Sequence, residues 1–223
     1  MGIKKNKKNM ILNLNKKNKD EVINVSIESI DNGHHKVTYR GVKAIRCPFD
    51  YLMYQMIISE VKPDLVIEIG TRIGGGAYYI ADLLENLGNG IVHTVDIVDE
   101  VDSIVKRHPR IKFFTEGWVN YDIELTKKFN NILIIEDASH MYQDTLGVLN
   151  KFHSIVSKGS YLIVEDGIIN ELGLEKKYDG GPLRAIREFL PNHPEFIVDR
   201  KWCDMFGKNA TFNVNGYLKK INK

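Results

Sequence analysis

Two clusters of acidic residues follow apolar runs in this sequence. The first is Glu136-Asp137-Ala138-Ser139-His140, after the run 132–135, and the second is Glu165-Asp166-Gly167, after the run 160–164. Carboxylates that lie close together repel one another unless a cation neutralises them. An all-oxygen donor set suits Mg²⁺, or Mn²⁺ and Ca²⁺, rather than Zn²⁺. The two clusters together predict a metal site, whereas a single acid would be explained by helix capping.

Glycines gather after an earlier apolar run, in the segment Glu68-Ile69-Gly70-Thr71-Arg72-Ile73-Gly74-Gly75-Gly76. Glycine allows the backbone to approach a ligand closely, and the N-terminus of a following helix presents free N–H groups. The spacing differs from the dinucleotide-binding pattern, and the Gly-Lys-Ser/Thr of a phosphate loop is absent from it. Alone, these glycines fit a tight strand-to-helix connection, but the acid at Glu68 makes the pattern more specific.

A further acid, Asp96, stands at the end of the next predicted strand. An acid at this place can accept hydrogen bonds from both hydroxyls of a ribose. The alternative is a helix N-cap. Together, Asp96 and the glycine turn predict a site for an adenosine-type cofactor.

Strands and helices alternate from residue 64 onward. The predicted strands are 64–69, 90–95, 111–115, 132–135 and 160–164, and the helices between them are 75–87, 100–107, 122–129 and 140–156. A helix over 48–61 precedes this series, and a helix over 182–190 and strands over 196–199 and 211–217 follow it. This order predicts an α/β fold: a mostly parallel sheet with helices on both faces and an antiparallel C-terminal edge. Ligands bind such sheets at the carboxyl ends of the strands, where the acids and the glycine turn converge.

The N-terminal part of the chain has a different character. Residues 1–20 are rich in lysine and asparagine and are predicted to be a disordered basic tail, and residues 21–47 a hairpin or cap with a turn at Asp31-Asn32-Gly33. The remaining segment, 48–223, is predicted to form one domain. Residues 1–19 hold seven lysines and no acid, so the net charge of +2 leaves −5 for residues 20–223. The tail fits either a solvated extension or a contact with nucleic acid or anionic lipid, but the acidic body argues against a nucleic-acid binder.

Composition narrows the class of protein further. The chain has 223 residues, of which 43% are hydrophobic and 27% charged, which suits a single globular domain. Its apolar runs are too short for a membrane span, and no secretory signal fits the basic start. Two cysteines, Cys47 and Cys203, cannot form a disulfide framework. We therefore expect a cytoplasmic protein, and a homo-oligomer is compatible with the sequence.

Several segments together resemble the cephalosporin hydroxylase family of class I S-adenosylmethionine-dependent methyltransferases. The matching segments are 63–71 with Gly74-Gly75, 159–166, Gly181-Pro182 with Ala185-Ile186 and Phe189-Leu190, 215–219, and the upstream Tyr54-Gln55. The resemblance extends from about residue 39 to residue 219. It implies a Rossmann-like fold, bound S-adenosylmethionine and methyl transfer to an oxygen, often with a divalent metal. A clear iron triad of two histidines and one carboxylate is missing from the sequence, which argues against an oxygenase.

The resemblance also implies roles for individual residues. Glu68, Gly70 and Thr71 would line the methionine end of the cofactor, with Gly74, Gly75 and Asp137 completing that site. Asp96 would hold the ribose, Gly117 and Trp118 would flank the adenine, and Asp137, Glu165 and Asp166 would bind the metal. The arrangement is similar to that of catechol O-methyltransferases, in which a basic residue three positions after the first metal aspartate takes the hydroxyl proton. His140 occupies that position, although it also fits a helix N-terminal residue bonded to a carboxylate.

The sequence therefore predicts a metal-dependent O-methyltransferase. Its acceptor is expected to be a hydroxyl of a small molecule or a sugar, in surface-glycan or natural-product assembly. Gly76 stands where related sequences often carry Ser, which removes one hydrogen bond to the cofactor carboxylate. Two alternatives remain open: a nucleic-acid-binding protein that uses the lysine-rich tail, and a nicotinamide-dependent oxidoreductase. The second alternative predicts another glycine spacing and no acidic metal cluster.

Overall fold

A seven-stranded sheet forms the centre of the protein, of which a computed structural model describes residues 22–221. Two short strands precede the sheet, β1 Thr38–Tyr39 and β2 Val42–Lys43. The sheet itself contains β3 Leu65–Ile69, β4 Ile91–Val95, β5 Ile111–Phe114, β6 Ile132–Glu136, β7 Tyr161–Val164, β8 Phe196–Val198 and β9 Tyr217–Lys220. Their order is β5-β4-β3-β6-β7-β9-β8, with the first five parallel and β9 antiparallel to both β7 and β8. The predicted sheet is confirmed, and the predicted tail over 1–20 lies outside the described residues.

Helices cover both faces of the sheet. They are α1 Ile27–His34, α2 Pro48–Val61, α3 Gly75–Asn86, α4 Ser103–Lys106, α5 Gly117–Asn120, α6 Tyr142–Phe152, α7 Gly181–Phe189 and α8 Arg200–Cys203. Short 3-10 helices occupy Ile123–Thr126, His153–Ile155, Gly167–Asn170 and Leu190–Asn192. Helices α2, α3, α4 and α8 bury side chains in one core and α6 and α7 in another. Helix α2 has the predicted bounds, set by Pro48 at its start and Pro63 beyond its end.

Strand β3 shows why the sheet is predictable from the sequence. All five of its residues are buried, as expected for a parallel strand covered on both faces. Val66 packs into one core, whereas Leu65 and Ile67 pack into the other, because side chains alternate across a strand. Glu68 is the one charged residue in this strand. A carboxyl group buried at this place needs hydrogen-bond partners.

The predicted hairpin around residues 31–33 is wrong. Those residues belong to helix α1, which begins with a capping box in which Ser26 and Ser29 exchange hydrogen bonds. None of the residues of this helix is buried, and its two isoleucines, Ile27 and Ile30, are too few to mark a helix in the sequence. The hairpin of this region is instead β1–β2, in which Thr38 pairs with Lys43. It packs against the glycine turn, since a Cβ on Gly75 would overlap the Lys43 carbonyl.

Three other predicted elements differ from the structure. The helix predicted over 100–107 is reduced to α4, and the one over 122–129 is the 3-10 helix Ile123–Thr126. The strand predicted over 211–217 begins only at Tyr217. The preceding residues are buried but bent, because Asp50 accepts hydrogen bonds from the Thr211 hydroxyl and, at 3.1 Å, from the Phe212 N–H. The buried Asp50 carboxylate thus accepts a backbone hydrogen bond that a neighbouring strand would otherwise accept.

None of the helices within residues 22–221 combines the length and the apolar character that a membrane crossing requires. Both Cys47 and Cys203 are buried free thiols.

Candidate active site

A cavity of about 870 Å³ opens at the carboxyl ends of the parallel strands. It lies where the strand order reverses, with β3 between β4 and β6, which is the ligand position in open α/β sheets. All of the predicted site residues line it: Glu68, Gly70, Thr71, Gly74, Gly75, Asp96, Gly117, Trp118, Asp137, His140, Glu165 and Asp166. Helix α1 adds Asp31 and His34, and the residue after it adds His35. The structure therefore brings the predicted residues together.

The glycine turn is built for close approach. Gly70 has a φ of +104°, and a Cβ there would overlap the carbonyl oxygen of Asp137. The Asp137 N–H donates to the Ile69 carbonyl at 2.8 Å, which joins the ends of β3 and β6. Gly74, with a φ of +90°, then precedes the first turn of α3. A side chain at Gly70 would separate the two strand ends that form the floor of the cavity.

Two of the predicted acids stabilise this turn. Glu68 is 1% exposed, and the Thr94 hydroxyl donates to it at 2.7 Å. Burial raises the pKa of Glu68 to about 7, against the opposing effect of Arg46. Asp96 accepts hydrogen bonds from the N–H groups of Thr71 and Arg72, at 2.9 and 2.8 Å. Asp96 therefore fixes the glycine turn to the end of β4 while it faces the cavity.

Arg46, in the segment between β2 and α2, is a site residue that sequence reasoning missed. Its Nη2 lies 2.6 Å from Glu165 Oε1, 3.3 Å from Asp137 Oδ2 and 3.8 Å from Glu68 Oε1. The Tyr54 hydroxyl donates to the same Glu165 oxygen at 2.7 Å. Arg46 thus neutralises much of the acidic cluster that the sequence predicted. Its partners lie as far as 119 positions away in the chain, and no local spacing signals them.

Two of the predicted acids, Asp137 and Asp166, group with His140. Donor atoms of Asp137, His140 and Asp166 all lie within 4.8 Å of one another. The predicted ligand Glu165 lies outside this group of three, since Arg46 and Tyr54 hold its carboxylate. His140 Nε2 is 3.1 Å from Asp166 Oδ2, and His140 Nδ1 is buried without a hydrogen-bond partner among the described residues. Burial and the neighbouring Glu165 carboxylate raise the pKa of Asp137.

The predicted adenine wall, Gly117 and Trp118, also lines the cavity. Gly117 begins α5 with a φ of +74°, and Trp118 follows it. The Trp118 indole packs against α6 at Gly147, where a Cβ would overlap the ring. A glycine in the middle of a helix is unfavourable by about 1 kcal/mol relative to alanine, so close packing of the indole explains it.

The fold and the site together define a methyltransferase of class I, the S-adenosylmethionine-dependent type. The chain belongs to the Rhamnosyl O-methyltransferase/CmcI family, whose model matches residues 32–221. It is 32% identical over 192 residues to a rhamnosyl O-methyltransferase of Mycobacterium tuberculosis, which covers 82% of this chain and 78% of that protein. A rhamnosyl O-methyltransferase of Mycobacterium leprae is 30% identical, covering 81% and 82%. The predicted resemblance to the cephalosporin hydroxylase family is thereby confirmed, and the protein is an O-methyltransferase.

Solved structures share the fold. A CmcI structure with Mg and SAM superposes with a TM-score of 0.64 at 18% identity, covering 84% of this chain and 78% of that one. An O-methyltransferase from Bacillus cereus in complex with SAH gives a TM-score of 0.54 at 15% identity, covering 80% and 84%. These likenesses concern the arrangement of the sheet and its helices.

Proposed function

We propose that the protein transfers the methyl group of S-adenosylmethionine to a hydroxyl group of a sugar, with His140 as the proton acceptor. The observation that carries this proposal is the lining of the cavity. The glycine turn with Glu68 and Asp96, the group of Asp137, His140 and Asp166, and residues of α1 all line the same cavity. A cofactor on the turn would therefore direct its methyl group toward an acceptor bound beside His140.

His140 has the contacts that a base requires. Its Nε2 lies 3.1 Å from Asp166, so the tautomer with the proton on Nε2 donates to that carboxylate. Nδ1 then carries a lone pair and has no competing partner among residues 22–221. An in-line methyl transfer requires the acceptor oxygen to lose its proton and to be held in line with the sulfonium. In this proposal, Asp166 orients the imidazole, and His140 takes the proton.

A divalent cation fits the same group of residues. Asp137 and Asp166 offer the carboxylate oxygens that Mg²⁺, Mn²⁺ or Ca²⁺ prefers, and His140 Nδ1 stays available for the proton of the acceptor. Glu165 would join them only if it exchanged its contact with Arg46. When bound, such an ion lowers the pKa of a coordinated hydroxyl and orients it. We propose that methyl transfer by this chain requires such an ion.

Polar side chains line the cavity beside apolar ones such as Ile169 and Leu174. The polar ones include Asp31 and His34 of α1, the adjoining His35, and Lys177 and Tyr178 from the segment before α7. Several donors and acceptors of this kind suit a ligand with many hydroxyl groups better than an apolar one. The relatives include proteins named rhamnosyl O-methyltransferase. We extend the acceptor class in that name, a sugar, to this chain. We propose rhamnose or a related sugar as the acceptor.

A methyl-transfer assay tests the proposal. The full chain is incubated with methyl-labelled S-adenosylmethionine and either methyl rhamnoside or a catechol, with EDTA or with added Mg²⁺. We expect labelled rhamnoside that depends on the metal, and little transfer to the catechol. Asp137→Asn should abolish transfer, whereas Asp99→Asn, an exposed acid outside the cavity, should retain it. Transfer to catechol alone would overturn the acceptor class, and full activity of Asp137→Asn would overturn the site.

A further inference from the structure

Arg46 is held rigidly between the acidic cluster and an aromatic ring. Its side chain is 3% exposed, and its Nε and Nη2 both contact the Glu165 carboxylate, at 3.1 and 2.6 Å. The guanidinium carbon lies 4.6 Å from the centre of the Tyr54 ring. A planar guanidinium with two anchored nitrogens has little rotational freedom, so the direction of its remaining nitrogen is fixed.

That remaining nitrogen, Nη1, is buried and has no hydrogen-bond partner among the described residues. A buried donor without a partner costs about 1–3 kcal/mol, and native proteins satisfy nearly all such groups. Arg46 lines the cavity, so a bound molecule can supply the missing acceptor. A cationic donor in a site of low polarity favours an anionic acceptor, in particular a carboxylate.

Gly76 shows where this acceptor lies. The position of a Cβ on Gly76 is 3.4 Å from Arg46 Nη1 and 3.3 Å from Nη2. Both nitrogens therefore face the first turn of α3, where free N–H groups also favour an anion. Glu68 Oε1 is nearer still, 2.5 Å from the same Cβ position, so the absence of a side chain at Gly76 lets Glu68 and Arg46 both lie against the start of α3. Gly76 itself cannot donate a side-chain hydrogen bond.

We propose that Arg46 Nη1 binds the carboxylate of the amino-acid end of S-adenosylmethionine. This inference rests on the proposed use of that cofactor. The amino-acid end carries an ammonium group as well as a carboxylate, and the cavity offers both complements. Glu68 and Asp137 suit the ammonium, whereas Arg46 and the start of α3 suit the carboxylate. Arg46 thus takes over the hydrogen bond that Gly76 cannot provide.

A pair of ligands separates this role from a structural one. S-adenosylhomocysteine has the carboxylate, and its decarboxylated analogue, S-adenosyl-3-thiopropylamine, differs only by lacking it. Their dissociation constants are measured by calorimetry on the full chain. The wild type is expected to prefer S-adenosylhomocysteine by about 10- to 100-fold, the usual effect of one hydrogen bond to a charged group. In Arg46→Gln, the preference is expected to fall to about 3-fold or less.

Two further variants make the outcome decisive. Arg46→Lys keeps a cation among the carboxylates, so its melting temperature should fall less than that of Arg46→Gln. Its single nitrogen cannot serve Glu165 and the ligand together, and most of the preference should still be lost. Arg40→Gln removes an exposed arginine outside the cavity and should keep the full preference.

Equal weakening of both ligands in Arg46→Gln and Arg46→Lys, with the preference retained, would overturn the inference and leave Arg46 a structural residue. Binding of neither ligand to the wild type would instead overturn the proposed cofactor, and the inference with it. The two failures are therefore distinguishable.

Discussion

The contact between Gly147 and Trp118 allows a test of the adenine wall from a residue that touches no ligand. In Gly147→Ala, the new methyl group would overlap the indole and stand 3.0 Å from its Cζ2 atom, well inside the usual carbon–carbon contact of about 3.5–4.0 Å. The ring must therefore move by roughly 1 Å. Overpacking of this kind costs about 1–3 kcal/mol. The higher helix propensity of alanine offsets about 1 kcal/mol of this cost, so the net loss of unfolding free energy should be about 2 kcal/mol or less.

The displaced indole should lose its stacking on the adenine. An aromatic pair contributes about 0.5–1.5 kcal/mol, so the dissociation constant for S-adenosylhomocysteine should rise by about 2- to 10-fold. Calorimetry measures this constant, and denaturant unfolding measures the stability. Asn150→Ala, on the exposed side of the same helix, is the matched control and should leave the affinity unchanged. Unchanged affinity in Gly147→Ala, with indole fluorescence that shows a displaced ring, would refute the assignment of Trp118 to the adenine.

Other predictions concern the core and the floor of the cavity. Burial lowers the pKa of His93 to about 4, and its Nδ1 pairs with the Tyr121 hydroxyl at 2.6 Å. The unfolded chain, with a His pKa of about 6.5, therefore takes up a proton first as the pH falls. Between pH 7 and pH 5 the wild type should lose about 2 kcal/mol more unfolding free energy than His93→Gln, and parallel pH profiles of the two proteins would contradict this. Gly70→Ala should abolish cofactor binding, because its methyl group would overlap the Asp137 carbonyl; calorimetry that shows wild-type affinity would contradict the geometry of the turn. Tyr54→Phe removes the hydroxyl that donates to Glu165 at 2.7 Å and should lower the free energy of unfolding by about 1–3 kcal/mol in denaturant titrations; no change would mean that the contact carries little stability.

The central sheet could be predicted from the sequence because buried parallel strands are short apolar runs. Helix α2 could be predicted equally well, because a proline marks its start and another lies beyond its end. Helix α1 was missed for a physical reason. The helix has only two apolar residues, Ile27 and Ile30, and buries neither, and Asp31-Asn32-Gly33 has the composition of a turn.

The site was predictable to the extent that its residues follow strand ends. Glu68, Asp96 and Asp137 do so, and the sheet brings them to one cavity. Arg46 was not predictable, because its position depends on long-range contacts to Glu165 and to Asp137, 119 and 91 positions away. The same contacts explain why Glu165 stands apart from the group of three that the structure assembles. Long-range pairing of buried charges leaves no local pattern in a sequence.

The measurement that tests the account most directly is a calorimetric titration of S-adenosylhomocysteine into the full chain, beside a titration of NADH. The cavity at the end of β3, with its glycine turn and the acids Glu68 and Asp96, predicts one S-adenosylhomocysteine site per chain and no heat of binding from NADH. Glu68→Gln should weaken the first titration. Binding of NADH in place of S-adenosylhomocysteine would contradict the assignment of this cavity to methyl transfer.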